Sequence, residues 1–187
     1  LLSIDCGAIV DGWHGDAAVT LVVGGAAAAR EEDLRLSQVT EDSMWAGIAA
    51  LQVGQRLYAV GEAVEASVEA AADRDRWDYG IVEEYVGHTI GREMHLDPQI
   101  PNYGVREKGP RVASGFTGAI EPMITLGSPE TNVLADDWTV VTVDGSRAAH
   151  WEHTVAVRDS GLWVLTALDG GAARLAALGA AYAPVTP

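Results

Sequence analysis

Leu1-Leu2-Ser3-Ile4-Asp5-Cys6-Gly7-Ala8-Ile9-Val10-Asp11-Gly12-Trp13-His14-Gly15-Asp16-Ala17-Ala18-Val19-Thr20-Leu21-Val22-Val23 reads as two apolar, β-branched runs joined by Asp11-Gly12. That dipeptide is a strong signal for a two-residue hairpin turn, in which both central residues take positive φ. With Asp11 and Gly12 at the turn, facing positions sum to 23, so Val10 faces Trp13 and Asp5 faces Ala18. Side chains alternate between the faces of a strand, so Asp16 lies on the face of Ala18 and therefore of Asp5. Two carboxylates are thus set diagonally on one side of a largely apolar hairpin. Without a cation they repel, and burying them is costly. Two solvated surface aspartates would satisfy the hairpin equally well.

Beyond Gly24-Gly25 the period changes. From about Arg30 to Leu51 the pattern is helical, with Leu34, Met44, Ile48 and Leu51 among charged neighbours, and Thr40 in a position to cap an internal break. A second helix is expected from about Leu57 to Ala72, with Val60, Val64 and Val68 on one stripe and Glu62, Glu65 and Glu69 in solvent. After Trp77, the stretches Tyr85–His88, Gly118–Thr125, Thr139–Val143, Trp151–Val157 and Leu162–Ala167 read as strands. Ala172–Ala181 reads as a short terminal helix. The sum is an α+β arrangement, a mostly antiparallel sheet with helices against one face, in one domain over residues 1–187 whose first hairpin spans 1–24.

The chain has 187 residues, 48% of them hydrophobic and 21% charged, which suits one globular domain with its own core. A formal charge of −15 argues against nucleic acid, whose phosphates call for a basic face. No run approaches the ~20 apolar residues of a membrane span, and nothing at the start reads as a signal peptide. Cys6 is the sole cysteine, which excludes an internal disulfide and fits a reducing, cytoplasmic setting. The run Leu1–Ile4 already looks like the middle of a strand, so a preceding segment or a partner chain is expected.

Three further stretches hold chemistry-bearing residues inside apolar surroundings. In Tyr85-Val86-Gly87-His88-Thr89-Ile90-Gly91-Arg92-Glu93-Met94-His95, two histidines seven apart stand among glycines that allow close backbone approach. In Gly118-Ala119-Ile120-Glu121-Pro122-Met123-Ile124, Glu121 is a charge in an apolar strand, followed by a proline that removes a ladder donor. In His150-Trp151-Glu152-His153-Thr154-Val155, Glu152 is another such carboxylate, while His150 and His153 read as scaffold or surface. Four carboxylates and one imidazole (Asp5, Asp16, Glu121, Glu152 and His88) form a hard, oxygen-rich set. Such a set suits two divalent ions such as Mn, Fe or Co better than a structural zinc, which favours thiolates.

The order of Asp5, Asp16, Gly87-His88, Glu121-Pro122-Met123 and Glu152-His153-Thr154 closely resembles type I methionine aminopeptidases, metallopeptidases of the pita-bread fold. Glu121 and Glu152 are 31 apart, which leaves no room for the helical insertion of the type II enzymes. The resemblance implies a curved, mostly antiparallel sheet, N-terminally incomplete here, and removal of N-terminal methionine from nascent polypeptides. It implies that Asp16, His88, Glu121 and Glu152 hold a first metal ion. A second would lie on Asp5, with Asp16 and Glu152 bridging. Glu121 would be the general base and proton shuttle, acting on a water activated by both ions. His95 would stabilise the tetrahedral intermediate, and Met94, Trp138 and Tyr85 would meet the substrate.

Three departures accompany the likeness. Thr89 stands where the family usually has glycine, and a β-branched residue would be strained if that backbone needed φ > 0. Ala17 replaces a threonine whose hydroxyl could orient the Asp16 carboxylate. The family also has a further N-terminal half, which carries another substrate-contacting histidine. Alternatives are an Xaa-Pro peptidase-like hydrolase of the same fold, and a non-catalytic or truncated binding module of that fold.

Overall fold

The structure, a computed structural model, describes residues 1–185. Thr186 and Pro187, the end of the expected domain, lie outside the described residues. The opening hairpin forms with the expected register. Strand β1 (Leu2–Asp5) pairs with β4 (Ala17–Leu21), and β2 (Ala8–Val10) pairs with β3 (Trp13–Gly15). Val10 faces Trp13 and Asp5 faces Ala18. The two long strands expected are, however, each broken. Cys6-Gly7 separates β1 from β2 and Asp16 separates β3 from β4, while the Cys6 N–H still donates to the Ala17 carbonyl at 3.0 Å and keeps the register.

Helix α1 (Glu31–Ala50) is continuous, and this corrects the expected break at Thr40. The Thr40 hydroxyl donates to the Leu36 carbonyl at 2.8 Å, so the helix backbone satisfies the group that would otherwise have capped a new turn. Glu31, Glu32 and Asp33 fill its first turn, where negative charge complements the helix dipole. Helix α2 (Ala59–Asp75) buries Val60, Val64 and Val68 as expected and ends at Arg76 in the left-handed conformation. Leu34 is exposed and Leu36 takes the core position instead.

The remaining strands are β5 (Gly80–Ile81), β6 (Gly87–Thr89), β7 (Leu96–Ile100), β8 (Thr117–Ile120), β9 (Met123–Thr125), β10 (Thr131–Val133), β11 (Val140–Thr142), β12 (Ala148–His150), β13 (Glu152–Arg158) and β14 (Gly161–Val164), followed by α3 (Ala172–Ala177). The stretch 118–125, expected as one strand, is split at Glu121-Pro122, because the proline has no N–H to continue the ladder. Helix α3 stops at Ala177, four residues short of the expected end and just before Gly179, whose φ is +70°.

The main sheet runs β1-β4-β13-β8-β6-β7, with β14 beside β13, and a smaller sheet runs β12-β9-β5. All of these pairings are antiparallel. Met44, Ile48 and Leu51 of α1 and its end, with Val60 and Val64 of α2, are buried against Ile120, Val155 and Val157 of the sheet. Each such side chain contributes about 1.5–3 kcal/mol on burial. Both long helices therefore cover one face. The side chains that alternate away from Ile120, Val155 and Val157 point to the other. No helix among the described residues is long and apolar enough to cross a membrane.

Candidate metal centre

The strand register puts all five expected ligands on that second face. Asp5 faces Ala18, and Ala18 faces Glu152. His153 faces Ile120, so Glu152 and Glu121 are the next positions on the same two strands; His88 faces Ala119, two residues before Glu121. Each ligand also sits where a ladder is interrupted. Asp5 ends β1, Asp16 lies between β3 and β4, Glu121 follows β8, Glu152 begins β13, and His88 lies at an irregularity in the β6–β7 pairing. At these breaks side chains converge instead of standing parallel.

Two trios result, His88–Glu121–Glu152 and Asp5–Asp16–Glu152, and in each the ligand atoms lie within 4.8 Å of one another. Glu152 belongs to both. The His88 Nε2 is 3.3 Å from a Glu121 oxygen and 4.0 Å from an Asp16 oxygen. Asp16, His88, Glu121 and Glu152 are buried and Asp5 is exposed.

The electrostatics are those of crowded anions. Burial, reinforced by the Asp5 and Asp16 charges, pushes the Glu121 carboxyl up to about 8. Burial and the neighbouring Glu121, Asp16 and Asp5 push Glu152 up to about 10. Asp16 is raised by burial and by Asp5, and burial lowers His88, which favours the neutral imidazole a metal needs. Glu152 is 1% exposed, and neither of its side-chain oxygens has a hydrogen-bond partner among the described residues. A buried carboxylate without a partner is costly, and divalent cations held by these oxygens remove that cost. The donor set therefore fits divalent cations that favour oxygen ligands.

The two doubtful positions cause no strain. Thr89 is not among the residues with positive φ, and its hydroxyl donates to the Pro98 carbonyl at 3.0 Å. Beside Ala17, Asp16 is fixed through its backbone, since its N–H donates to the Thr154 hydroxyl at 3.0 Å and its carbonyl accepts from that hydroxyl at 2.8 Å.

His95 lies beside the cluster, its ring edge-on to that of His88 with centroids 4.5 Å apart, and it can join Asp16 and His88 as a ligand trio. Met94 reaches in over Gly7, where a Cβ would overlap the Met94 methyl and stand 3.4 Å from an Asp16 oxygen. Tyr85 lines a cavity of about 620 Å³ together with Ser3, Met123, Val140 and His150. None of the five ligands lines that cavity; it approaches the cluster at His150. Among the described residues no contact brings Trp138 to the centre. It is 87% exposed on the turn between β10 and β11, where its N–H donates to Asp136.

Of the two histidines read as scaffold, His153 is one. Its Nδ1 is 2.8 Å from the Thr166 hydroxyl and its ring meets Trp45 edge-on. His150 is buried with its Nε2 3.7 Å from a Glu121 oxygen and without a hydrogen-bond partner among the described residues. Its spacing of two from Glu152 was the available signal, although the two residues belong to different strands, β12 and β13.

Residues 1–159 match the model of metallopeptidase family M24. The chain is similar to methionine aminopeptidase 1 of Mycobacterium tuberculosis, 56% identical over 166 residues, which are 89% of this chain and 61% of that protein. It is similar in structure to methionine aminopeptidase from Thermotoga maritima, with a TM-score of 0.79 and 41% identity over 88% of this chain and 62% of that one. The prolidase from Pyrococcus horikoshii superposes with a TM-score of 0.64 at 17% identity, over 88% of this chain and 39% of that one, a likeness of fold alone. The chain spans about six-tenths of the length of the curated relatives it matches.

Proposed function

The chain belongs to metallopeptidase family M24 and has its pita-bread fold, and from that premise we propose that it is a dinuclear aminopeptidase that removes N-terminal methionine from nascent polypeptides in the cytoplasm. The observation that carries the proposal is Glu152, buried, unpartnered and shared by two ligand trios. His88, Glu121 and Glu152 would hold one divalent cation with Asp16, and Asp5, Asp16 and Glu152 the other; Mn, Fe and Co all suit the donors. Bound there, the cations supply Lewis acidity, lowering the pKa of water and polarising the scissile carbonyl.

The chain's own groups divide the remaining work. Glu121 takes a proton from the attacking water at a carboxylate oxygen and delivers it to the leaving amine. His95, exposed beside His88, donates a hydrogen bond to the carbonyl oxygen as negative charge develops on it. Met94 offers a thioether surface to the methionine side chain. Tyr85, in the wall of the neighbouring cavity, meets the residues that follow, and Trp138 joins the substrate from its exposed turn.

The test compares turnover of Met-Ala-Ser with that of an Ala-Pro peptide in metal-replete protein. Preferential release of methionine and about two divalent ions per chain are expected. A preference for the Pro peptide would assign the chain to the Xaa-Pro branch. Glu121→Ala should abolish hydrolysis, and retained turnover would remove Glu121 from its role as base. Absence of bound ions under replete conditions would favour a non-catalytic binding module.

A further inference from the structure

The loop 91–95 carries both Met94 and His95, yet it anchors itself little. Arg92, Glu93 and His95 are exposed, and the loop has no regular strand pairing. Its attachments run to the tip of the β2–β3 hairpin. The His14 N–H donates to the Gly91 carbonyl at 2.8 Å. Arg92 Nη1 donates to the Asp11 carbonyl at 2.6 Å, and the guanidinium lies over the Trp13 ring, 4.0 Å from its centroid. Asp11 and Gly12 form the turn with φ of 51° and 76°. The turn also makes room for the clamp, because a Cβ on Gly12 would stand 2.8 Å from Arg92 Nη1. At the other end of the loop, His95 meets the edge of the His88 ring and lies near Asp16.

We propose that Arg92, gripped between the Trp13 ring and the Asp11 carbonyl, is a positioning residue that holds His95 against His88. The proposal rests on the reading of His95 as the group that meets the scissile carbonyl. A cation over an indole and a charge-assisted hydrogen bond act together on one side chain. They fix the loop from outside the metal cluster. Displacing a catalytic group by about 1 Å costs on the order of 100-fold in rate. Arg92→Ala is therefore expected to lower kcat on Met-Ala-Ser about ten- to a hundredfold with the ion content unchanged. Arg92→Lys, which keeps a cation over Trp13, recovers part of the loss, and Trp13→Ala reproduces it.

Two measurements decide the matter. The first is a double-mutant cycle of Arg92→Ala with His95→Ala. If Arg92 acts through His95, the double variant is no slower than His95→Ala alone. An undiminished kcat in Arg92→Ala, or losses that multiply in the double variant, overturns the clamp. The second is the ring resonances of His95 in proton–nitrogen correlation spectra of the metal-free protein, which report its distance from the His88 ring without turnover. These should shift in Arg92→Ala and return in Arg92→Lys; unchanged resonances overturn the clamp. If His95→Ala leaves kcat intact, the role given to His95 fails instead, and the spectra alone then judge the clamp.

Discussion

Chelating the divalent cations and raising the pH should destabilise this protein in a way that its residue composition alone would not suggest. In the folded, cation-free chain Glu121 is held up to about 8 and Glu152 up to about 10, against an ordinary value of 4.5. Below pH 4.5 folded and unfolded chains both keep these protons. As the pH rises further, the unfolded chain releases them while the folded chain does not, so stability falls until the folded values are passed. The buried His88 and His150, both lowered by burial from 6.5, work against folding only on the acid side, which makes pH 7 to 9 the clean window. Each proton contributes about 1.4 kcal/mol per pH unit. Glu121 acts over the first unit of that window and Glu152 over both, for a total loss of about 4 kcal/mol. That is a large part of the roughly 5–15 kcal/mol that holds a typical domain together. Urea titrations of chelated protein at pH 7 and pH 9 measure it, and a parallel series with Mn²⁺ or Co²⁺ should be flat, because the cations keep the carboxylates ionised in the fold. Glu152→Gln should remove roughly two-thirds of the slope and lose the cation-dependent stabilisation at the same time. Equal stability of the chelated protein at both pH values would refute the reasoning.

Thr154→Val removes both hydrogen bonds that fix the Asp16 backbone and leaves two buried groups unpaired. It should cost about 2–4 kcal/mol in urea unfolding and weaken cation binding measured by calorimetry. Gly61→Ala places a Cβ into the carbonyl oxygens of Tyr103 and Pro101, so α2 must shift off the 101–103 segment. A loss of about 1–3 kcal/mol is expected in a thermal melt, with little change in the ion stoichiometry. His95→Ala should lower kcat and kcat/KM together, the pattern of a contact made in the transition state, with ion content by mass spectrometry unchanged.

How much of the centre was legible beforehand depended on how local the determining interactions were. The hairpin's register was readable: Asp11-Gly12 fixes the turn, the turn fixes the register, and Asp5 and Asp16 meet as alternation suggests. The valine stripe of α2 was readable for the same reason, since helical spacing is a local property. The meeting of Glu121, Glu152 and His88 was not, because it depends on pairings among β6, β8 and β13, which lie far apart in sequence. For these residues the resemblance to a family supplied what periodicity could not.

The strand breaks were half legible. Pro122 announces one, while the breaks at Cys6-Gly7, Asp16 and Trp151 carry no proline and follow from the tertiary fold. Those breaks are what turn a sheet face into a site. In an unbroken ladder Asp5, Ala18, Glu152 and Glu121 would form one row across four strands, each about 4.8 Å from the next, with all side chains parallel and no second row of donors brought inward. Interrupting every strand beside its ligand lets Asp16 and His88 turn into the same volume, and Glu152 comes to serve two trios at once. His150 was missed for a related reason. It belongs to β12 of the smaller sheet, and only the bend at Trp151 brings its Nε2 to Glu121. A histidine two residues from a ligand is ordinary on an exposed strand. At a corner between two sheets it is enclosed with the carboxylate it faces, and burial lowers it to about 4, so it meets Glu121 as a neutral ring.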